Sequence, residues 1–293
     1  MDLQRYIKQR CARVDRALER LLPKGRVKPA TIHEAMRYSI FAGGKRLRPI
    51  LCLAAGEACG GSEAKAMPLA CAVECVHTYS LVHDDLPCMD DDDFRRGRPT
   101  SHKVYGEGMA VLTGDALLTV AFEMVTAARA GRRYSHRDMV KELALAAGSK
   151  NLIAGQVADL EGEGNHLGLA DLRFVHERKT AALIRCSLRL GGMSADATAR
   201  QMTGLSKFGV ALGMAFQIMD DILDVTQTSE HLGKSAGKDV RAEKSTYPAL
   251  LGLAGAQKEA DRWTRQAREA LVPFGVRGGV LRAIADHLLR RTN

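Results

Sequence analysis

Six carboxylates fall within ten residues, at Asp84, Asp85, Asp90, Asp91, Asp92 and Asp93. Like charges at that density repel unless cations sit among them. These side chains offer oxygen alone, which suits a hard ion such as Mg2+, especially where a phosphate completes the ligand set. Taken singly, the run reads as well as a solvated acidic loop. A second set stands far along the chain, in Gln217-Ile-Met-Asp-Asp-Ile-Leu-Asp224. Asp220 and Asp224 are four apart, so an α-helix puts them on one face, roughly 6 Å apart. Carboxylates inside a segment rich in Met, Ile and Leu call for something that compensates their charge. Two such sets on apolar helices can face one cavity and hold metal ions on a single polyanion.

Cations accompany both sets. Arg95, Arg96 and Arg98 follow the first, and Lys234, Lys238 and Lys244 follow the second. A third group stands in the Gly-flanked turn Gly43-Gly44-Lys45-Arg46-Leu47-Arg48-Pro49. Arg binds phosphate as a fork and Lys as a mobile point charge. Basic residues beside acids and glycines point to phosphate groups gripped by metal and cation together.

The elements that must carry these residues are helical. Of the 293 residues, 46% are hydrophobic but only 5% aromatic, and the apolar content is mostly Ala, Leu, Val and Met, which favours helices over sheets. The length allows one large core, and no repeat, low-complexity stretch or linker divides it, so residues 1–293 read as a single domain. Helical spacing runs over 2–22, and a helix starting at Thr31 is expected, capped with Glu34. Residues 67–86 form a buried helix ending at Pro87. Further helical segments span 101–130, 137–160, 172–192, 197–226 and 246–291, with a Gly-punctuated loop or lid over 228–244.

The net charge of +9 asks for an anionic partner. Because the basic residues lie beside acidic clusters rather than in one stripe, small phosphorylated substrates fit better than nucleic acid. No apolar run is expected to span a bilayer. The seven cysteines form no Cys-x-x-Cys pair and follow no secretory signal, so reduced thiols in a cytoplasm are expected, with Cys71 and Cys75 as small core residues.

With these residues in place, the chain resembles the trans-prenyltransferases, specifically the bacterial-type farnesyl diphosphate synthases. The matching stretches are Gly43-Gly-Lys-Arg-Leu-Arg-Pro49, His77-Thr-Tyr-Ser-Leu-Val-His-Asp-Asp85, Asp90 to His102, Leu112-Thr-Gly-Asp115, Gly155-Gln156 with Asp159, Lys179-Thr180, Phe216 to Asp224 and Lys244-Ser-Thr-Tyr-Pro248. Their order along nearly the whole chain makes the likeness specific, where a lone Asp-Asp-x-x-Asp is weak. The four residues between Asp85 and Asp90 fit both the bacterial farnesyl type and the plant-like geranylgeranyl synthases.

The resemblance implies an all-α body of about ten or more helices around a central apolar cavity, working as a homodimer. It implies three Mg2+ ions, two held by Asp84 and Asp90 and a third by Asp220, with Asp85, Asp221 and Asp224 orienting metal-bound waters. Arg95, Lys179, Gln217, Lys234 and Lys244 would contact the allylic diphosphate. Lys45, Arg48, His77 and Arg96 would hold isopentenyl diphosphate, with Gly44 allowing close approach. Thr180 and the carbonyl of Lys179 would face the developing allylic cation. Tyr79 would form the floor that stops growth at fifteen carbons, giving farnesyl diphosphate, with geranylgeranyl diphosphate as the alternative. Helix geometry alone puts Ser80, rather than Tyr79, directly beneath Asp84.

Overall fold

In the computed structural model, which describes residues 2–165, 167–226 and 245–289, the long apolar stretches become helices packed around two of their number. The chain runs α1 (Leu3–Leu21), α2 (Ala30–Ile40), α3 (Leu47–Ala58), α4 (Glu63–Asp84), β1 (Phe94–Arg95), β2 (Arg98–Pro99), α5 (Ser101–Tyr105), α6 (Glu107–Thr126), α7 (His136–Ala147) and α8 (Leu152–Glu161). It continues through α9 (Leu169–Val175), a π-helical turn (His176–Ala181), α10 (Ala182–Ser194), α11 (Ala199–Thr226), α12 (Tyr247–Ala270), a 3-10 stretch (Val272–Gly278) and α13 (Gly279–Leu289). The expected all-α architecture is observed.

Helix α4 is apolar on every side, and Leu69 to Val76 are buried without interruption. It packs against α3, α6 and α10, which bury its sides and leave only its last turns to face the site. Each large side chain enclosed there contributes about 1.5–3 kcal/mol. Helix α11 packs on α10, α12 and the π turn. Its glycines let the backbones approach: a Cβ on Gly213 would lie 2.5 Å from Cα of Ala181. The second acidic set therefore rides on a helix fixed along its length.

Three local expectations change. Thr31 does not cap α2, because Pro29 with φ −76° already holds extended backbone and the helix begins at Ala30. The single segment expected over 101–130 is broken at Gly106, whose φ of 85° is open to glycine, and ends at Thr126. Helix α6 is long and apolar enough to cross a bilayer by length and composition alone. In the fold, however, its Ala110, Leu117, Ala121 and Val125 are buried in the core it shares with α4.

Candidate active site

Asp84 is the last residue of α4 and Asp85 its C-cap, so the first acidic set begins where the buried helix stops. The loop folds back on that end: the amide of Asp90 donates to the carbonyl of Asp84 at 2.8 Å. Asp84 is only 9% exposed, and burial, with Asp90 and Asp85 adding like charge, pushes its carboxyl up to about 6. Gln156 on α8 donates its side-chain amide to Asp84 Oδ1. The residues that follow form a two-stranded antiparallel hairpin, pairing Phe94 with Pro99 and Arg95 with Arg98. Its turn residues Arg96 and Gly97 have φ of 54° and 74°, as a tight primed turn requires. Arg95 is thereby brought back onto Asp85, with Nε at 2.6 Å and Nη2 at 2.5 Å from Oδ1.

The same turn sends Arg96 to the basic loop before α3, where its guanidinium donates to the carbonyl of Gly43. Gly44 has φ of 122°, a conformation that side chains rarely adopt, and a Cβ there would also push that guanidinium aside. Burial and the charge of Arg96 push Arg48 down to about 10, against the opposing pull of Glu74. Its Nε is buried without a hydrogen-bond partner among the described residues. His77 is held well below its usual range by burial and by Arg48, Arg96, Arg95 and Arg46, so it is neutral at pH 7. Lys45 is exposed on the turn beside them. The residues expected to hold isopentenyl diphosphate thus converge, and their mutual repulsion makes the site receptive to an anion. A pocket opens beside them, lined by Tyr38, Ala42, Thr78, Leu81, Arg95 and Arg96 among others.

Lys179 and Thr180 stand in the π turn, where wider winding interrupts the ordinary ladder, a feature frequent at functional sites. Helix α8 presses on it so closely that a Cβ on Gly155 would collide with the amide nitrogen of Lys179. Lys179 Nζ lies 2.6 Å from Asp159 Oδ2 on α8, and its charge favours ionised Asp84. Thr180 Oγ1 donates to Gln217 Oε1 at 3.0 Å, and Gln217 Nε2 lies 3.5 Å from Asp221 Oδ1. The amide of Tyr247 donates to Asp221 Oδ2 at 3.1 Å, and buried His176 stands 3.8 Å from the same oxygen while stacking on Tyr247. A polar chain therefore runs from the first acidic set through α8 and the π turn to the second.

The donor set fits divalent metal. Asp84, Asp90 and Asp220 supply hard oxygen, ionised Asp84 is disfavoured by burial and then by its like-charged neighbours, and Asp224 Oδ2 is buried without a partner among the described residues. The tightest grouping of ligand-type side chains among the described residues is a different one, Asp91, Asp93 and His102, where Lys103 already neutralises Asp93 at 2.7 Å. Tyr79 is 7% exposed, packs edge-on against His83 with ring centres 5.8 Å apart, and has its hydroxyl pushed up to about 12 by burial and Asp84. Lys234 and Lys244 lie outside the described residues, as does the whole of the expected lid over 228–244.

Sequence reasoning assigned no role to Gln156, Asp159 or His176. The signal for the first two was the three-residue spacing in Gly155-Gln156…Asp159, which puts both polar side chains on one face of a helix. His176 carried none, since its partners are supplied by α11 and α12.

A family model described as Polyprenyl synthetase matches residues 29–271. A geranylgeranyl pyrophosphate synthase from Capsicum annuum, named chloroplastic, is 49% identical over 98% of this chain and 78% of its own length. A chloroplastic heterodimeric geranylgeranyl pyrophosphate synthase large subunit from Arabidopsis thaliana is 48% identical over 100% of this chain and 80% of its own. An apo FPP/GFPP synthase from Zymomonas mobilis superposes with a TM-score of 0.86 at 33% identity, covering 98% of this chain and 99% of that one. A putative farnesyl-diphosphate synthase from a Marinomonas species does so with 0.82 at 36% identity, covering 99% of each chain. The chain belongs to the polyprenyl synthetase family and is a trans-prenyltransferase.

Proposed function

We propose that this protein is a magnesium-dependent prenyl diphosphate synthase that condenses isopentenyl diphosphate with an allylic diphosphate, and that its end product has twenty carbons. The geometry that supports the reaction is the presence of two separate anion-binding regions. One gathers Arg48, Arg96 and His77 beside Lys45, and the other joins the two acidic sets through Gln156, Lys179, Thr180 and Gln217. A terpene cyclase needs only the second. The product length rests on the relatives named geranylgeranyl pyrophosphate synthases.

Asp84, Asp90 and Asp220 would hold magnesium, which when bound screens the allylic diphosphate and favours its departure. Arg95 and Lys179 take up the charge gathering on the leaving oxygens, as preorganised cations do in a site closed to water. Thr180, fixed by Gln217, and the carbonyl of Lys179 face the carbon left electron-poor when the allylic carbon–oxygen bond breaks with its electron pair on the diphosphate. Arg48, Arg96 and His77 hold isopentenyl diphosphate so that its double bond attacks that carbon. The proton lost on forming the new double bond passes to the released diphosphate, so no side-chain nucleophile is required.

Farnesyl diphosphate is the second reading, favoured by buried Tyr79 five residues before Asp84. Incubation with labelled isopentenyl diphosphate and dimethylallyl diphosphate, followed by sizing of the products, separates the two. Dominant C20 supports the first, and C15 that lengthens in Tyr79→Ala supports the second.

We also read the chain as a homodimer, although one relative is named a subunit of a heterodimer. Light scattering of the purified protein gives its mass directly. All seven cysteines are unpaired, in keeping with a reducing compartment. The relatives' names favour a plastid over the expected cytoplasm, and fractionation of tagged protein tests it.

A further inference from the structure

Arg46 lies between Lys45 and Arg48, yet its side chain turns away from any substrate. It is 4% exposed and serves as N-cap of α3 with φ 47°, a conformation disfavoured for a residue with a Cβ. Three contacts hold it there. Its Nε donates to Asp15 Oδ1 at 2.8 Å, Nη1 to Glu74 Oε1 at 2.8 Å, and Nη2 to the carbonyl of Ile40 at 2.7 Å. The fork thus ties the basic turn to α1, α2 and α4 at once.

Glu74 is 1% exposed and sits on α4 one turn before His77. Its Oε2 is buried without a hydrogen-bond partner among the described residues. The charge of Glu74 favours the ionised forms of Arg46, Arg48 and Arg96 alike. One buried carboxylate is thus paired with Arg46 at 2.8 Å and lies in the field of two further guanidiniums, Arg48 and Arg96.

We propose that Glu74 and Arg46 are a positioning pair for isopentenyl diphosphate. Arg46 fixes the left-handed turn from which Lys45 and Arg48 project, and Glu74 keeps Arg48 and Arg96 gathered when no diphosphate is bound. This rests on the reading of Lys45, Arg48, Arg96 and His77 as that substrate's site. The sign of a charge deletion decides between roles. A carboxylate that merely sat near the site would repel diphosphate, and its removal would tighten binding. A carboxylate that organises the cations weakens binding when it is lost.

The test uses the full chain with Glu74→Gln and Arg46→Lys. Isopentenyl diphosphate binding is measured by calorimetry, and initial rates are taken with each substrate varied at saturation of the other. Both variants are expected to raise Kd and KM for isopentenyl diphosphate about tenfold, the effect of losing one hydrogen bond to a charged group. The KM for the allylic diphosphate should stay within about twofold, and kcat should fall less than about threefold. Tighter isopentenyl binding in Glu74→Gln, or an equal rise in both KM values, overturns the proposal. If Glu74→Gln fails to fold, Arg46→Lys keeps the ion pair while giving up the fork, and the same two outcomes apply to it. A wild-type chain that neither binds nor condenses isopentenyl diphosphate overturns the site assignment itself, which the wild-type calorimetry shows before any variant is made.

Discussion

The two acidic sets are held in opposite ways. The first hangs from the end of α4 and is fixed mainly by its own sequence neighbourhood, through the Asp90 amide, the hairpin and Arg95, with Gln156 of α8 added from a distance. The second is embedded within the 28 residues of α11 and is fixed by distant elements, through Thr180 to Gln217 and through the Tyr247 amide to Asp221. A loop at a helix end can shift as ligands arrive, whereas a side chain within a packed helix cannot shift without moving its neighbours. The second set is therefore expected to move less than the first when ligands bind.

Substituting each set tests that division most severely. Asp84→Ala and Asp220→Ala should each lower kcat at least about a thousandfold while leaving the far-UV circular dichroism unchanged. They should differ in stability. Ionised Asp84 is disfavoured where it stands, so its removal should leave the Tm of the metal-free protein level or raised. Near-normal turnover in either variant would refute the metal-clamp account.

The next effect belongs to the joint between the regions. Gly155→Ala places a methyl group against the backbone of Lys179 and must displace the π turn. Misplacement of about 1 Å costs roughly a hundredfold in rate, so kcat should fall by about that factor with smaller changes in either KM. If instead only Tm falls, the close approach is packing without a part in catalysis. A smaller effect is expected from Gln156→Ala, which removes the amide donated to Asp84. A hydrogen bond to a charged group is worth about 1.5–3 kcal/mol, and a loss of about tenfold in kcat/KM follows at the lower end of that range. A loss confined to the allylic substrate would tie Gln156 to the acidic sets, and an equal loss for isopentenyl diphosphate would sever that link.

The same contrast governs what could be read from the sequence. The helices bearing both sets were legible, because long apolar runs ending at Pro87 and spanning 197–226 admit little else, and the second is observed over Ala199–Thr226. The hairpin was not, since it depends on Arg96 adopting a left-handed conformation that its residue type does not announce. The π turn was hidden because His176 to Ala181 is too short a stretch for its shift in spacing to stand out, and the neighbouring α8 and α11 that pack on it are distant in sequence. Gln156 and Asp84 are 72 positions apart, and no local pattern links them.

His176 gives the smallest effect and the sharpest test of how rigid the second set is. Burial pushes it down to about 4, so at neutral pH it is uncharged and its 3.8 Å approach to Asp221 is not an ion pair. Its Nδ1 is buried without a partner among the described residues. Its contribution is then shape, a ring stacked on Tyr247 at 5.5 Å and 27°. His176→Phe keeps that stack and removes an unsatisfied nitrogen, so kcat/KM should fall no more than about threefold and Tm at pH 7 should hold or rise. The pH dependence has a definite sign. Between its unfolded value near 6.5 and about 4, the unfolded chain binds the extra proton, so wild type loses stability as pH falls through that window. The shift corresponds to about 3 kcal/mol at most. The Phe variant should lack that part of the acid slope, measured as the difference between the two proteins in urea unfolding from pH 7 to pH 4. A loss in activity beyond about thirtyfold would mean that the imidazole acts on Asp221 as a hydrogen-bond donor, and that the second set is held by chemistry rather than by packing.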